Sequence, residues 1–243
     1  MSGIRLNKYI ASSGLCSRRK ADELIQQGSV MVNGKIIKEL GFLVMPKDKV
    51  FVDKKLVHPA KHQYYRFYKP AGYITTSDDE KGRKTIYDLL PENLFGLKPV
   101  GRLDKDSTGL LILTNDGDLI NALTHPSIKV PKIYLVTVDS VLTRAELTTL
   151  AEGVEIEPGK IAYADIQVLE KDNKHTEMQI TLYQGMNRQI RKMFEHIGHE
   201  VKTLKRIQHA TLRLDGLKRG EFKPIKPVQI RELKNFLNKI QNL

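Results

Sequence analysis

The residues most suited to chemistry lie between Gly101 and Asp118, in the stretch GRLDKDSTGLLILTNDGD. Residues 104–109 (DKDSTG) match the first half of an EF-hand calcium loop, in which carboxylates and a hydroxyl coordinate the ion. Such a loop needs a bidentate Glu at its twelfth position, but Asn115 stands there. The aliphatic run Leu110–Leu113 would also have to serve as loop. We therefore do not expect calcium binding.

One carboxylate of this stretch is well placed for another kind of chemistry. The run Leu110–Leu113 is too short for a core helix and is bounded by turn residues, which predicts a buried strand. Asp116–Gly117 is expected to end that strand in a turn, with Gly117 at a positive φ. Asp104 then lies on a tight loop leading into the strand, where a rigid scaffold can aim a single carboxylate into a cleft.

Histidine and cysteine do not indicate a metal site. Cys16 is the only cysteine, which excludes an intrachain disulfide and a cysteine cluster for zinc or iron–sulfur binding. His196 and His199 are three residues apart but lie on either side of Gly198, which is expected to end a helix. We interpret both histidines as structural.

The chain is strongly basic. It holds 40 Lys and Arg against 28 Asp and Glu, for a formal net charge of +12. Residues 1–60 contain 11 basic and 5 acidic residues, so half of the excess lies in the first quarter. This indicates a polyanionic partner, nucleic acid first, with plain solubility as the alternative. The N-terminus lacks a signal-peptide core and no apolar run approaches roughly 20 residues, so we expect a cytoplasmic protein without membrane association.

The first 60 residues predict a helix–helix–hairpin unit. A helix over residues 5–13 is followed by a second helix, with Ser17 as its N-cap and Gly28 as its end. Asn33–Gly34 is a strong two-residue hairpin signal, and the alternation at Val50–Val52 predicts a further strand. The polar sides of the unit carry basic residues: Arg5, Lys8, Arg18, Arg19, Lys20 and Lys35.

The segment RLNKYIASSGLCSRRKADELIQQGSVMVNGK resembles an S4-type RNA-binding domain. The resemblance implies that residues 1–60 form this domain and that the basic side chains named above bind structured RNA. A solvated charged face on a small α+β unit is the alternative interpretation. The net charge of +6 in this segment favours RNA binding.

A second domain is predicted over residues 65–243. Strands and helices alternate irregularly there, which predicts an α+β fold with a mixed, largely antiparallel sheet. The predicted strands cover residues 132–138, 162–169 and 178–183. The predicted helices cover residues 119–123, 143–153 and 188–197, with a last one starting near Pro227.

Three segments of this second domain resemble one enzyme family. They are GRLDKDSTGLLILTNDGD, KIYLVTV, and YQGMNRQIRKMFEHIGHEVKTLKR followed by GEFKPI. They are similar to the ribosomal RNA pseudouridine synthases of the RsuA/RluB/RluE/RluF group, and the Gln-Gly before Met186 is most similar to the F type. The resemblance implies an isomerase that converts a uridine of 23S ribosomal RNA to pseudouridine. The reaction involves no redox change or phosphoryl transfer, so we expect neither cofactor nor metal.

The resemblance also implies the catalytic residues. Asp104 acts on the sugar as nucleophile or base, and Arg191 favours its ionised form as a nearby cation. Tyr134 provides the surface on which the flipped base stacks. Without the motif, Arg191 would be assigned to an ion pair with Glu195 on a wet helix face, and Tyr134 to the core.

Substrate-binding roles follow from the same resemblance. Arg102 occupies the space that the flipped base vacates, Leu204 forms the apolar wall opposite Tyr134, and Arg188 belongs to the substrate-binding set. Leu204 is equally expected in the core. Asp106, Asp116 and Asp118 are interpreted as capping or turn residues, as most Asp residues in turns are.

Two other classes of function remain open at this point. A ribosome-assembly factor of the same fold would bind ribosomal RNA without making pseudouridine, and the clustered Asp residues could serve a metal-dependent nuclease. The residues do not fix which uridine is modified or whether a tRNA is also accepted. We expect a monomer.

Overall fold

The fold was analysed in a computed structural model that describes residues 3–76 and 79–241. The chain divides into two compact units. One comprises Met1–Gln63 with Asn115–Gly117, and the other Tyr64–Thr114 with Asp118–Leu243. Among the described helices, none is both long enough and apolar enough to cross a bilayer.

The N-terminal unit packs two helices against short antiparallel strands. The helices are α1 (Leu6–Ser12) and α2 (Arg18–Gln26). The Ser17 hydroxyl accepts a hydrogen bond from the Lys20 N–H at 3.2 Å, which confirms the predicted N-cap of α2. The strands are β1 (Ile4–Arg5), β2 (Val30–Val32), β3 (Lys35–Ile36), β4 (Leu43–Val44), β5 (Val50–Val52) and β6 (Lys55–Val57).

The predicted hairpin at Asn33–Gly34 is confirmed. Asn33 has φ 51° and Gly34 has φ 80°, and a tight hairpin turn of this type needs positive φ at both central residues. The turn joins β2 to β3 within the antiparallel sheet β3-β2-β5-β6, while β1 pairs with β4. The hairpin therefore fixes the register of the strands on which the two helices pack.

The second unit contains a large sheet with helices on both faces. Its helices are α3 (Gly117–Thr124), α4 (Arg144–Glu152), α5 (Gln189–His196) and α6 (Pro227–Gln241), with short 3₁₀ turns at Ile86–Leu89 and Glu92–Leu94. Its strands are β7 (Tyr64–Lys69), β8 (Lys98–Pro99), β9 (Thr108–Thr114), β10 (Lys132–Val138), β11 (Val154–Glu157), β12 (Lys160–Ala162), β13 (Asp165–Lys171), β14 (Thr176–Leu182), β15 (Val201–His209), β16 (Leu212–Arg213) and β17 (Phe222–Pro224).

The sheet confirms the predicted fold class. Its order is β13-β14-β10-β15-β9-β7-β17, with β8 on β9 and β16 on β15. Pairing is antiparallel except between β9 and β15, which run parallel. Strands β11 and β12 form a separate hairpin. The architecture is therefore α+β with a mixed, largely antiparallel sheet.

The position of β9 explains its continuous aliphatic run. Leu111 and Leu113 belong to one core cluster together with side chains of α4 and α5. Leu110 and Ile112 belong to the second cluster, together with side chains of α3 and α6. Successive side chains of a strand point to opposite faces, so a strand covered on both faces needs apolar residues at every position.

Two predictions about element boundaries are wrong. Gly117 does not have a positive φ, because the chain passes from β9 into α3 and Gly117 is the first residue of that helix. The strand predicted over residues 162–169 is two strands, β12 ending at Ala162 and β13 starting at Asp165. Strand β12 pairs with β11 and β13 with β14, and sequence alternation does not encode the choice of partner.

The parallel contact between β9 and β15 depends on Gly109. Its φ is +107°, and a Cβ added there would lie 2.2 Å from the carbonyl oxygen and 2.6 Å from the amide nitrogen of Arg206. Backbone atoms of a central strand have no room to move away. The close approach of these two strands therefore requires glycine.

We predict that Gly109→Ala destabilises the protein by roughly 3–5 kcal/mol, because it adds a steric clash to an unfavourable φ. The matched control is Gly159→Ala, at φ +73° with nothing within 4 Å of the added Cβ. It should lower the free energy of unfolding by only about 1–2 kcal/mol, because the unfavourable φ is not joined by a steric clash. Urea unfolding of the two variants measures the difference. Equal losses would contradict the steric argument.

Candidate active site

Backbone hydrogen bonds fix the loop that carries Asp104. The Thr75 hydroxyl donates to the Leu103 carbonyl at 2.8 Å and accepts from the Leu103 N–H at 3.2 Å. The Ser107 N–H donates to the Asp104 carbonyl at 3.1 Å, and the Gly72 N–H donates to the Lys105 carbonyl at 2.8 Å. The loop between β8 and β9 is thus held on both sides of Asp104.

A buried ammonium group lies beneath this loop. Lys69, at the end of β7, has no solvent exposure. Its Nζ lies 2.8–3.3 Å from the carbonyl oxygens of four residues that form or adjoin the loop: Ser107, Asp104, Pro70 and Lys105. Burial lowers the pKa of Lys69 to about 8, and the charges of Asp104 and Asp106 oppose that shift. Lys69 therefore binds the loop backbone, and not a carboxylate, directly.

The loop forms one wall of a cavity of about 470 Å³. Ligand-binding clefts commonly have volumes of roughly 300–1,000 Å³. Of the residues predicted from the sequence for catalysis and substrate binding, the cavity brings together Arg102, Asp104, Tyr134, Arg188 and Leu204. These residues come from segments that are up to about a hundred positions apart in the sequence.

The carboxylate of Asp104 has Arg188 as its cationic neighbour. Arg188 Nη1 lies 4.0 Å from Asp104 Oδ2, with the two side chains 46% and 31% exposed. Arg188 is the N-cap residue of α5 and has a left-handed backbone, with φ 50° and ψ 33°. A pair this exposed contributes little to the stability of the fold.

The cation that lies 4.0 Å from the Asp104 carboxylate is Arg188 and not the predicted Arg191, whose catalytic role stays a prediction. Arg191 lies within α5, where its Nη1 donates to the Val201 carbonyl at 2.8 Å, at the start of β15. Arg188 precedes the helix and its left-handed backbone turns away from the helical path. The motif supplies two arginines three positions apart, and only the local backbone determines which one approaches Asp104.

Tyr134 and Leu204 are core residues that also line the cavity. Each is 8% exposed, belongs to the large core cluster and lines the cavity. They lie on the adjacent strands β10 and β15. Arg102, at the cavity edge, is exposed. An apolar surface therefore faces the same space as the Asp104 carboxylate.

Sequence reasoning missed several polar residues of the cavity. Lys132, Arg206 and His209 line it from β10 and β15, and Gln189 lines it from α5. Gln189, only 3% exposed, donates from Nε2 to the Tyr163 carbonyl at 3.2 Å and to Gln184 Oε1 at 3.1 Å. The sequence could have indicated them, because each is a polar residue at a position where the periodicity of the strand or helix predicts a buried side chain.

The basic residues predicted to bind RNA all lie in the N-terminal unit. Arg5, Arg18, Arg19, Lys20 and Lys35 are exposed, and Lys8 is half-buried. Lys20 pairs with Glu23 at 2.8 Å, an exposed contact of little energetic weight.

The two histidines flanking Gly198 have no metal-binding arrangement. His199 Nε2 lies 2.7 Å from Glu146 Oε1. Glu146 belongs to the capping box at the start of α4. Hydrogen bonds from Thr143 and His199 lower the pKa of Glu146 to about 2. Within residues 3–76 and 79–241, no group of three or more His, Cys, Asp or Glu side chains is arranged to hold a metal ion.

Comparison with known proteins identifies the family. Residues 63–196 match the RNA pseudouridylate synthase family, and residues 4–57 match the S4 domain. The chain therefore belongs to the RNA pseudouridylate synthase family and carries an S4 domain at its N-terminal end. Enzymes of this family are isomerases, so the chain is an RNA pseudouridine synthase, as the sequence resemblance predicted.

Named relatives extend over almost the whole chain. Ribosomal large subunit pseudouridine synthase B of Bacillus subtilis is 42% identical over 235 residues, 95% of each chain. Dual-specificity RNA pseudouridine synthase RluF of Escherichia coli is 39% identical over 237 residues, 96% of this chain and 79% of the relative. A crystal structure of a pseudouridylate synthase, 30% identical, superposes with a TM-score of 0.69 over 95% of this chain and 99% of that one. The similar identities to B-type and F-type enzymes do not choose between these subgroups.

We predict that Lys69→Met destabilises the protein by roughly 2–4 kcal/mol, because it leaves buried carbonyls of the Asp104 loop without a donor. The pKa of Lys69 is lower in the folded chain than in the unfolded chain, so above about pH 8 the unfolded chain binds more protons at this group. The free energy of unfolding of the wild type therefore rises with pH above about pH 8. The difference in free energy of unfolding between the wild type and Lys69→Met should therefore increase from about pH 7 to about pH 9.5. Urea unfolding at both pH values measures it, with Lys105→Met, an exposed lysine of the same loop, as the control. A gap that narrows with pH would contradict this assignment.

Proposed function

We propose that this protein isomerises a specific uridine of 23S ribosomal RNA, with Asp104 as the group that acts on the sugar. The name of the Bacillus subtilis relative supports the large ribosomal subunit as the source of the substrate. The dual specificity in the name of the Escherichia coli relative makes a second RNA, such as a tRNA, a candidate substrate as well. Ribosomal RNA as substrate supports a cytoplasmic location. The monomer expected from the sequence stays a prediction.

The observation that carries the proposal is the placement of Asp104. Its carboxylate lies at a cavity that also presents Tyr134 and Leu204, with Arg188 4.0 Å away. Isomerisation breaks the bond between N1 of the base and C1′ of the sugar and rejoins C1′ to C5; the C5 proton is released and N1 takes up a proton. No atom is lost and no oxidation state requires an external reagent. An ionised carboxylate serves this chemistry either as nucleophile at C1′ or as base toward the sugar.

The surrounding side chains support binding of an unstacked base. Extruding a nucleotide from a stack costs a few kcal/mol, and stacking on an aromatic ring recovers roughly 1–3 kcal/mol. Tyr134 provides that ring and Leu204 the opposite apolar wall. Arg102, exposed at the cavity edge, is suited to the space that the base vacates. Arg188 places a cation 4.0 Å from the Asp104 carboxylate.

The N-terminal unit supplies the affinity for RNA in this proposal. Residues 1–60 act as the S4-like RNA-binding domain and residues 65–243 as the catalytic domain. The exposed arginines and lysines of the first domain contact phosphates, which makes binding sensitive to salt. Recognition of the RNA region and chemistry on one uridine are thereby assigned to different parts of the chain.

The test of this function is the pseudouridine map of ribosomal RNA from cells lacking the protein, compared with wild-type cells. We expect one or a few 23S positions to lose pseudouridine and to regain it when the wild-type chain is restored. Unchanged maps of 23S RNA and tRNA would contradict the proposal.

We predict that Asp104→Asn abolishes pseudouridine formation, by at least about 10³-fold, because the neutral amide is neither nucleophile nor base. Affinity for RNA should stay within about threefold, since the N-terminal unit and the cavity walls are unchanged. Single-turnover assays and filter binding on the same RNA measure the two effects. Parallel loss of binding and turnover would argue against a catalytic Asp104.

We predict that Arg188→Gln lowers the rate of isomerisation by about 10- to 100-fold without changing stability, because its side chain is half exposed and pairs with Asp104. The matched variant is Arg191→Gln, which removes the hydrogen bond to Val201. It should lower stability by about 1–2 kcal/mol and leave the rate per folded molecule within a few-fold. A folded but inactive Arg191→Gln, beside an active Arg188→Gln, would return the catalytic cation to Arg191.

A further inference from the structure

A β-bulge gathers three basic residues at one end of the cavity. Strand β10 faces β15 with Lys132 opposite His209 and Tyr134 opposite Arg206, and the register shifts between Ile133 and Tyr134. The extra residue on β15 brings Arg206 and His209 to the same face, although they are three positions apart. Lys132, Arg206 and His209, termed here the strand-end cluster, all line the cavity beside Tyr134.

Burial in the strand-end cluster leaves polar atoms without partners. Arg206 is 2% exposed and His209 is not exposed at all. Arg206 Nε donates to the Leu110 carbonyl at 2.8 Å, but its Nη2 has no hydrogen-bond partner in the described chain. Buried donors of this kind are expensive to leave unsatisfied, which points to a ligand.

The charges at this end of the cavity are also unbalanced. Among the described residues that line the cavity, Asp104 is the single acid, and it is the partner of Arg188. Burial and then the charge of Arg206 lower the pKa of Lys132 to about 8, and its ammonium donates to the Val130 carbonyl at 3.2 Å. Burial, then Arg206 and Lys132, lower the pKa of His209 well below 6.5, and a hydrogen bond with the Leu123 backbone opposes that shift. An anion would relieve the repulsion between Lys132 and Arg206.

We propose that the strand-end cluster is a phosphate-binding subsite, which holds one phosphate of the nucleotide whose base lies between Tyr134 and Leu204. The inference rests on the proposed function, since it places a nucleotide in the cavity. Arg206 offers an unpartnered guanidinium nitrogen and Lys132 a point charge. Together these groups match the oxygens of a phosphate.

The cluster fits a phosphate better than the other occupants of a nucleotide pocket. A uracil ring is neutral and would leave the two cations uncompensated. Water would satisfy donors but would bring no negative charge to compensate Lys132 and Arg206. Because the cluster adjoins Tyr134 on the same pair of strands, a phosphate bound there fixes the nucleotide at its backbone while the base stacks on the ring.

Titration of the full chain with four probes tests this subsite: uridine, uridine 3′-monophosphate, uridine 5′-monophosphate and inorganic phosphate. We expect one monophosphate to bind about tenfold more tightly than uridine, as a charge-assisted hydrogen bond implies. Inorganic phosphate should compete with that monophosphate. Lys132→Met should remove the gain, whereas Lys129→Met, an exposed lysine outside the cavity lining, should keep it.

Arg206→Lys is a second variant, which keeps the positive charge and removes the planar set of guanidinium donors. It should retain part of the tighter binding of the monophosphate relative to uridine. Equal binding of uridine and both monophosphates, or a gain that survives in Lys132→Met, would overturn the subsite. The outcome is separable from catalysis because no turnover is measured. Phosphate binding that depends on Lys132 in a chain making no pseudouridine would refute only the proposed function. An active chain without such binding would refute only the subsite.

Discussion

The buried contact between the Lys69 ammonium and the carbonyls of the Asp104 loop is the constraint on which the site depends. A loop of this kind exposes carbonyl oxygens to the interior, and each would be costly without a donor. One ammonium supplies several hydrogen bonds to Ser107, Asp104 and Pro70, and the loop is ordered around it. The result is a carboxylate on an irregular segment that is positioned as firmly as one on a strand. Rigidity of this kind is needed where a displacement of about 1 Å impairs catalysis.

The central strands provide the second constraint. Strands β9 and β15 run parallel at the middle of the sheet, and their close approach at Gly109 and Arg206 leaves no space for a side chain. This contact places the loop that precedes β9 beside the residues of β15 that line the cavity. The bulge in β15 then directs Arg206 and His209 to the same face. Catalytic loop and nucleotide wall are thus parts of one packed arrangement, and neither can shift without the other.

Local patterns predicted much of this fold and part of the site. The aliphatic run of β9, the Ser17 cap and the Asn33–Gly34 turn act over a few residues, so the sequence predicts them directly. The motif around Asp104 predicted the residue types at the cavity. The choice between Arg188 and Arg191 depended on one left-handed residue before α5, which no periodicity reveals. The strand-end cluster arises from strand pairing and a bulge, both of which depend on contacts between distant segments.

The distribution of charge in the cavity explains how one pocket can hold a polyanion and still present a carboxylate. Asp104 is half exposed and neighbours Arg188, so it retains water and a counter-charge. Lys132 is desolvated beside Arg206 and its ammonium donates to one carbonyl, that of Val130 at 3.2 Å, so a bound anion would add to the stabilisation of its charged form. In the proposed subsite the two cations attract the phosphate of the nucleotide, and the sugar is left facing Asp104.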